Sequence, residues 1–204
     1  EWRDTGKTCY AVAGAAMTLG TAGPVVVSEL QADNASTVTD PAGEHDDWIE
    51  LLNRSAEAAS LGGLFLSDDP EGPFAFALPD LVLGPGERHL IWADGDIQQG
   101  PDHAPFGLSK DGESVILSTA SATIDRTDFG PQAADRSWAR VPDATGAFVD
   151  CARPSPGAPN VCEPIAAPTS LPTRDATPTS RPTATAAPTG FVPAWRAFVP
   201  AAAR

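Results

Sequence analysis

The chain is poor in basic residues, in cysteine and in long apolar runs. Its 204 residues include 13 Lys and Arg against 27 Asp and Glu, a formal net charge of −14. Nucleic-acid binding depends on Lys and Arg that neutralise phosphates, so we predict no nucleic-acid partner. Arg126, Arg136 and Arg140 are the bases close enough in sequence to form one small positive strip. No run of about 18 apolar residues occurs, so no transmembrane segment is predicted.

Motifs that carry catalysis are also absent. The sequence has no Gly-x-Ser-x-Gly element, no phosphate-binding glycine loop and no His-Glu-x-x-His pair. The three histidines, His45, His89 and His103, stand among Asp and Gly and are predicted to lie at the surface. The acidic pairs at residues 46–47 and 68–69 are predicted to cap turns, because an Asp side chain readily accepts hydrogen bonds from nearby backbone N–H groups. We therefore predict that the chain is not an enzyme.

Composition divides the chain into four parts. Residues 24–160 carry 23 acidic and 7 basic residues, a net charge of −16, and are predicted to form one domain. In residues 161–204, Pro, Thr, Ala and Ser fill 28 of 44 positions, so residues 161–194 are predicted to be an extended, disordered linker or stalk. Residues 195–204 are aromatic and apolar, and are interpreted either as a sorting segment or as a frayed tail.

Residues 1–23 allow two interpretations. Arg3 and Lys7 precede an apolar stretch that ends in small residues, as in a signal peptide. Alternatively, residues 21–24 (TAGP) echo residues 155–159 (SPGAP), and each follows a cysteine, as expected of an upstream repeat. We favour the remnant of an upstream repeat.

The domain predicted at residues 24–160 is expected to consist of β-strands. Short apolar or alternating runs recur between Gly-, Pro- and Asp-rich breakers, and none has helical periodicity over a useful length. The runs are residues 25–30, 47–53, 61–67, 74–78, 87–93, 113–118, 122–128 and 137–141. Eight strands without intervening helices predict an antiparallel sandwich or barrel.

Alternation within these runs predicts which side chains face the core. The inward pairs are expected to be Ile49 with Leu51, Leu64 with Leu66, Leu90 with Trp92, and Val115 with Leu117. Trp92 is thus the tryptophan most expected in the core. Trp48 is out of phase with Ile49 and Leu51 and is expected to be the exposed one.

Three cysteines are too few for a disulfide scaffold or a zinc module. Cys151 and Cys162 flank ten residues rich in Pro and Gly, and are predicted to close a small loop where the chain leaves the domain. Cys9 would then pair with an upstream segment. The alternative is that all three are free thiols.

Oxygen-bearing side chains are dense in one loop. Asp33, Asp40, Glu44, Asp46 and Asp47 fall within fifteen residues, and Ca²⁺ requires several hard oxygen ligands. The spacing does not fit an EF-hand. Calcium is the one cofactor predicted, and the alternative is a solvated acidic loop.

A series of short motifs in fixed order then resembles a known family. Its first members are Ser28-Glu29-Leu30, residues 47–51 (DWIEL), Asn53, residues 61–69 (LGGLFLSDD) and residues 85–87 (PGE). Its later members are residues 106–109 (FGLS), 112–113 (GE), 124–125 (ID), 135–137 (DRS), 140–143 (RVPD) and 155–160 (SPGAPN). Over residues 24–160 this order resembles the bacterial lamin tail domains. The resemblance implies an immunoglobulin-like antiparallel β-sandwich that is not itself catalytic.

The expected function follows from these features together. We expect a secreted or cell-surface bacterial protein with a binding or tethering role, whose partner is a protein or a glycan. Similar domains accompany nucleases, phosphatases and kinase-like domains, so the alternative is an accessory domain that positions an upstream enzyme. A carbohydrate-binding module is a further alternative and requires a row of exposed aromatic side chains.

Overall fold

The structure is a computed structural model that describes residues 23–162. Within that range it contains twelve strands and no helix. The strands are β1 (Val25–Gln31), β2 (Trp48–Asn53), β3 (Ala59–Ser60), β4 (Leu64–Ser67), β5 (Phe76–Ala77), β6 (Val82–Leu83), β7 (Arg88–Ala93), β8 (His103–Ala104), β9 (Glu113–Thr119), β10 (Thr123–Phe129), β11 (Ser137–Val141) and β12 (Ala147–Cys151). No helix in the described part of the chain could span a membrane.

The strands form three sheets, of which the two larger ones enclose one core. The larger has the order β12-β11-β1-β2-β7-β8, the smaller has the order β10-β9-β4-β5, and β3 pairs separately with β6. All pairs are antiparallel except β7 with β8. Leu30 and Ile49 of the larger sheet share the buried cluster with Leu66 and Leu117 of the smaller sheet. The predicted all-β sandwich is therefore confirmed.

All eight predicted runs contain a strand, and four short strands were missed. The Gly-, Pro- and Asp-rich segments between the runs form turns, as predicted. In the turn before β7, Glu87 N–H donates to Gly84 O at 3.1 Å, and Gly86 takes a φ of +73° that favours glycine. The missed strands β3, β6 and β8 have two residues each, and β12 is a largely exposed edge strand. Such strands are defined by their pairing partners and leave little periodic signal in the sequence.

The predicted phase of β7 is wrong. Its register places Ile91 opposite Ile49 and Trp92 opposite Trp48, so Ile91 and Ala93 face the core while Leu90 and Trp92 lie on the outer face. Trp92 is buried, as predicted, but outside the sandwich core. Because β7 has apolar residues on both faces, alternation alone does not fix its phase.

Trp48 is also fully buried, contrary to the prediction of exposure. Its indole N–H donates to Gln31 Oε1 at 2.9 Å. Strands β1 and β2 are buried at every position, so both faces of the larger sheet are covered at its centre. A residue on the outer face can therefore be as inaccessible as one in the core.

The chain segments predicted at 1–23, 161–194 and 195–204 lie outside the described residues, apart from Gly23, Val161 and Cys162. Their boundaries and roles stay predictions. Within the described range, the last strand ends at Cys151, and residues 152–162 follow it. We call residues 152–162 the exit segment.

Candidate functional site

Two buried glutamates lie side by side on the outer face of the larger sheet. Glu29 of β1 is opposite Glu50 of β2, and neither has any solvent exposure. A bulge makes this pairing, because the register shifts between Val27 and Glu29 and leaves Ser28 as the extra residue. Two carboxylates placed this way are the first candidate for chemistry in the fold.

The exit segment supplies donors to both carboxylates. Ser155 donates to Glu29 from its backbone N–H at 3.1 Å and from its hydroxyl at 2.9 Å. Gly157 N–H donates to Glu50 Oε2 at 2.6 Å, and Gly157 has a φ of +77° that favours glycine. Asn160 Nδ2 donates to Ser28 O at 2.9 Å. These bonds fasten the exit segment across the sheet.

The remaining oxygens of the pair are satisfied by the sheet. Ser137 donates to Glu29 Oε1 at 2.5 Å. Glu50 Oε1 accepts from the Ser28 hydroxyl and, at 3.1 Å, from Arg88 Nε, and Arg88 also pairs with Asp143. All four carboxylate oxygens therefore have partners within the chain.

Burial controls the protonation of this pair. It raises the pKa of Glu50 to about 7, although hydrogen bonds from Ser28 and Gly157 and the charge of Arg88 act in the opposite direction. Burial likewise raises the pKa of Glu29. Raised carboxyl pKa values often mark catalytic acids. Here the carboxyl groups are inaccessible and occupied by the exit segment, so the arrangement serves to close the fold.

A disulfide brackets the same segment. The structure joins Cys151 at the end of β12 to Cys162, with the two Cα atoms 5.2 Å apart. The loop of the exit segment is thereby held at both ends by the disulfide and in its middle by Glu29 and Glu50. Cys9 lies outside the described residues.

The backbone at the β1 bulge is satisfied by an ion pair from two other strands. Asp125 of β10 accepts from Val27 N–H at 2.9 Å, and Arg140 of β11 donates to Val27 O at 2.9 Å. The two side chains also pair with each other at 2.5 Å, and the guanidinium lies 4.3 Å from the ring centre of Phe148. This pair links the smaller sheet to the larger one.

The candidate positive strip is not a free cationic surface. Arg140 pairs with Asp125 as described, Arg126 pairs with Asp128 at 2.6 Å, and Arg136 pairs with Asp150 at 2.8 Å. Each of the three guanidinium groups is thus accompanied by its own carboxylate. The local charge at these three arginines is close to neutral rather than positive.

The structure gathers three of the five predicted calcium ligands. Asp40, Glu44 and Asp46 each place a carboxylate oxygen within 4.8 Å of the other two, and we call these three residues the acidic cluster. Asp47 instead accepts from Asn34 N–H at 3.3 Å, and burial raises its pKa to about 6. Asp33 contributes its backbone carbonyl, which accepts from Asp135 N–H at 2.9 Å. The five predicted ligands therefore do not share one site.

A histidine that the sequence placed at the surface lies next to the cluster. His103 is buried; its Nδ1 lies 2.6 Å from Asp94 Oδ2 and its Nε2 lies 4.0 Å from Asp40 Oδ2. Its ring stacks on Trp92, with centroids 6.5 Å apart. The parallel pairing of β7 with β8 brings Asp94 and His103 together, and no sequence motif predicts this contact.

The loop that carries the cluster is rigidly held. Asn34 Nδ2 donates to Val38 O and to Asp46 O, each at 2.8 Å. Asp135 accepts from Ala35 N–H at 3.0 Å and from Ser36 N–H at 2.8 Å. Hydrogen bonds from Ser36 lower the pKa of Asp135. The two side chains fix both ends of the loop by capping its backbone.

Comparison with protein families decides the classification. The family described as Lamin Tail Domain matches residues 19–131, more than half of the chain. The chain belongs to the lamin tail domain family. No curated protein matches it. The family is one of non-catalytic immunoglobulin-like domains, in agreement with the sandwich described above.

The match covers less than the folded lamin tail domain. It ends just after β10, whereas β11, β12 and the exit segment follow. Yet β11 pairs directly with β1, and the partners of Glu29 and Glu50 stand at residues 155–157. The buried glutamates thus fall inside the matched region and the segment they hold falls outside it.

Proposed function

We propose that this lamin tail domain is a non-catalytic binding or tethering module of a secreted or cell-surface bacterial protein. The carrying observation is that Glu50, whose pKa burial raises to about 7, binds the chain's own exit segment. An accessible acid or base is needed for catalysis, and neither Glu29 nor Glu50 meets that need. The family assignment supports the same conclusion.

The histidines also lack the partners that catalysis requires. His103 pairs with Asp94, and His89 pairs with Asp102 at 2.8 Å, which resembles two members of a catalytic triad. Within residues 23–162, however, no serine, threonine or cysteine side chain hydrogen-bonds to either ring, so the nucleophile is missing there.

A glycan-binding role has less support. It needs exposed aromatic side chains, and Trp48 and Trp92 are buried while Trp138 donates to Thr127 and stacks on Phe148. In the described range, Phe74 is the single aromatic among the exposed large apolar side chains. One ring does not make the row of aromatics that stacks on successive sugars.

The linker and the C-terminal segment complete the proposal. The Pro- and Thr-rich composition of residues 161–194 supports a stalk that projects the domain, and residues 195–204 support an attachment signal. In the native host, intact cells should carry the full chain in a form that added protease digests. Deletion of residues 195–204 should release the chain into the medium.

Deletion of residues 171–180 is the matched control, because it removes ten residues of the linker and keeps the C-terminus. That variant should stay on the cells. Recovery of the parent chain in the protease-protected cytoplasmic fraction would refute the surface role. Release of both deletion variants to the same extent would refute the assignment of residues 195–204.

The same proposal predicts that the chain does not bind duplex DNA at physiological salt, because Arg126, Arg136 and Arg140 are each paired with a carboxylate and residues 24–160 carry a net charge of −16. A gel shift over a range of salt concentrations tests this. Salt-sensitive binding that disappears in an Arg126→Ala, Arg136→Ala variant would reverse the prediction. Arg140 is left intact in that variant because it supports the β1 bulge.

A further inference from the structure

Two oxygens of the acidic cluster are buried without a hydrogen-bond donor. Asp40 Oδ1 accepts from Glu44 N–H at 2.7 Å, but Asp40 Oδ2 and Asp46 Oδ2 accept none. The side chain of Asp40 has 0% exposure, so water does not replace the missing donor at its surface. A buried anionic oxygen without a partner is destabilising, and a positive charge between the two oxygens would compensate it.

The surroundings supply more negative charge and no fixed positive charge. Burial raises the pKa of Asp46, and the charges of Asp94, Asp40 and Glu44 raise it further. Among residues 23–162, the ion pairs bring no Lys or Arg to these four carboxylates. Two histidines can carry a positive charge near the cluster: His103, whose Nδ1 is already engaged by Asp94, and the exposed His45, whose Nδ1 lies 3.0 Å from Val38 O.

We propose that the lamin tail domain binds one Ca²⁺ ion through the carboxylates of Asp40, Glu44 and Asp46. Ca²⁺ takes oxygen ligands at about 2.3–2.6 Å, so two ligands of one ion lie up to about 5 Å apart, and the 4.8 Å limit of the cluster fits this span. Three carboxylates suit Ca²⁺ better than Zn²⁺, which favours nitrogen and sulfur. Mg²⁺ demands a tighter octahedron and keeps more water.

The ion would cross-link the loop between β1 and β2, which carries all three ligands. Glu44 of this loop also accepts from Gln99 Nε2 at 2.6 Å, and Gln99 lies in the loop between β7 and β8 together with Asp94. Binding would therefore stabilise the first loop in the position where it contacts the second. This inference does not depend on the proposed tethering role.

Calcium titration of the full chain tests the inference. Extracellular modules bind Ca²⁺ with dissociation constants down to about 0.1–1 mM, so 10 mM Ca²⁺ should raise the melting temperature by about 5–9 °C for a domain of this size. Equal Mg²⁺ should give a much smaller rise. Trp92 stacks on His103, which lies next to the acidic cluster. Excitation of tryptophan should therefore make bound Tb³⁺ luminesce, and added Ca²⁺ should displace the Tb³⁺ and remove that signal.

Asp46→Asn and Asp40→Asn should each weaken Ca²⁺ binding at least tenfold. Asp46→Asn keeps the side-chain shape and removes repulsion from its acidic neighbours, so in the absence of Ca²⁺ it should melt at or above the temperature of the parent. Asp40→Asn should melt below it, because, although burial raises the pKa of Asp40, backbone hydrogen bonds that include the one from Glu44 N–H lower that pKa overall and stabilise the carboxylate. Asp33→Asn is the matched control, since it removes one charge from the same loop but lies outside the cluster. It should respond to Ca²⁺ as the parent does.

Three results would overturn the inference. The first is a parent chain whose melting temperature does not change with Ca²⁺. The second is an equal rise with Mg²⁺, which would indicate general screening of the acidic domain rather than a site. The third is an equal loss of response in Asp33→Asn and Asp46→Asn, which would show that the loop's total charge, and not the cluster, controls the effect. If Asp40→Asn does not fold, Asp46→Asn alone decides.

Discussion

Glu50 should make the domain less stable as the pH rises from 5 to 8. Its pKa is about 7 in the fold against an ordinary value of 4.5. For an acid whose pKa is raised by folding, the stabilisation is fully present below pH 4.5 and is lost as the pH rises through 7. The loss amounts to about 3 kcal/mol once the group is ionised, from about 1.4 kcal/mol per pKa unit.

Glu50→Gln isolates this contribution. Glutamine keeps the size of the side chain but has one acceptor oxygen, so either Gly157 N–H or the donors from Ser28 and Arg88 lose their partner. At pH 5 the parent carboxyl group is itself neutral, but its protonated oxygen can still accept a weak hydrogen bond, whereas the NH2 group of glutamine cannot. The variant should therefore be less stable than the parent at pH 5 by at most about 1–3 kcal/mol. By pH 8.5 the difference should shift by about 3 kcal/mol in favour of the variant, because only the parent must ionise a carboxyl group at position 50.

Urea unfolding followed by tryptophan fluorescence measures this difference at pH 5 and at pH 8.5. Asp47, whose pKa is also raised, to about 6, contributes equally to both chains and cancels in the comparison. Glu57→Gln is the control, since Glu57 is exposed. A constant difference between parent and Glu50→Gln across this range would refute the reasoning. It would mean that Arg88 and the hydrogen bonds outweigh burial and keep Glu50 ionised.

The remaining predictions concern packing and closure. Arg140→Ala should lower the free energy of unfolding by about 2–4 kcal/mol in urea, because it leaves Asp125 buried without its partner, whereas the more exposed Arg126→Ala should cost under about 1 kcal/mol. Cys151→Ser with Cys162→Ser should cost about 3 kcal/mol for a loop of this length; an unchanged urea midpoint would show that the disulfide does not form. Trp48→Phe should cost about 1–3 kcal/mol by leaving Gln31 without a donor, and a variant as stable as the parent would contradict this.

The sequence predicted the strands well because the larger ones obey local rules. Runs such as residues 113–118 combine β-branched and aliphatic residues and follow a glycine-containing turn, so propensity and turn chemistry agree there. Strands β3, β6 and β8 follow no such rule. Each has two residues and is a strand because another part of the chain lies beside it.

The face of the sheet on which a side chain lies was harder to predict than the position of the strand. Alternation separates the faces of a strand when one face meets water, but the centre of the larger sheet is buried on both faces. Trp48 and Trp92 were therefore misassigned for one reason: the outer face on which they lie is buried as the inner face is. His103 was misplaced for another reason, since its burial depends on the parallel contact of β8 with β7.

The acidic cluster was predictable only in part. Asp40, Glu44 and Asp46 were among the predicted residues because carboxylates are dense between residues 33 and 47, and density is visible in a sequence. Which oxygens converge depends on loop geometry that Asn34 and Asp135 impose, and Asp135 lies about a hundred residues away from its partners. Long-range capping of this kind leaves no local pattern, so the sequence does not separate Asp33 and Asp47 from the three residues whose carboxylates converge.

The motifs by which the chain resembles the family do not identify a ligand, because several of their residues bind the exit segment. Glu29 and Glu50 bind the exit segment, and Ser155 and Gly157 provide the donors. These positions are constrained by closure of the fold, because removing either partner leaves a buried carboxylate or a buried N–H group unsatisfied. Similarity to the family at these positions therefore indicates the same fold, closed in the same way, and does not indicate a ligand. The choice of ligand must depend on side chains that closure leaves free, and in the described range the acidic cluster, with its two unpartnered oxygens, is the clearest of these.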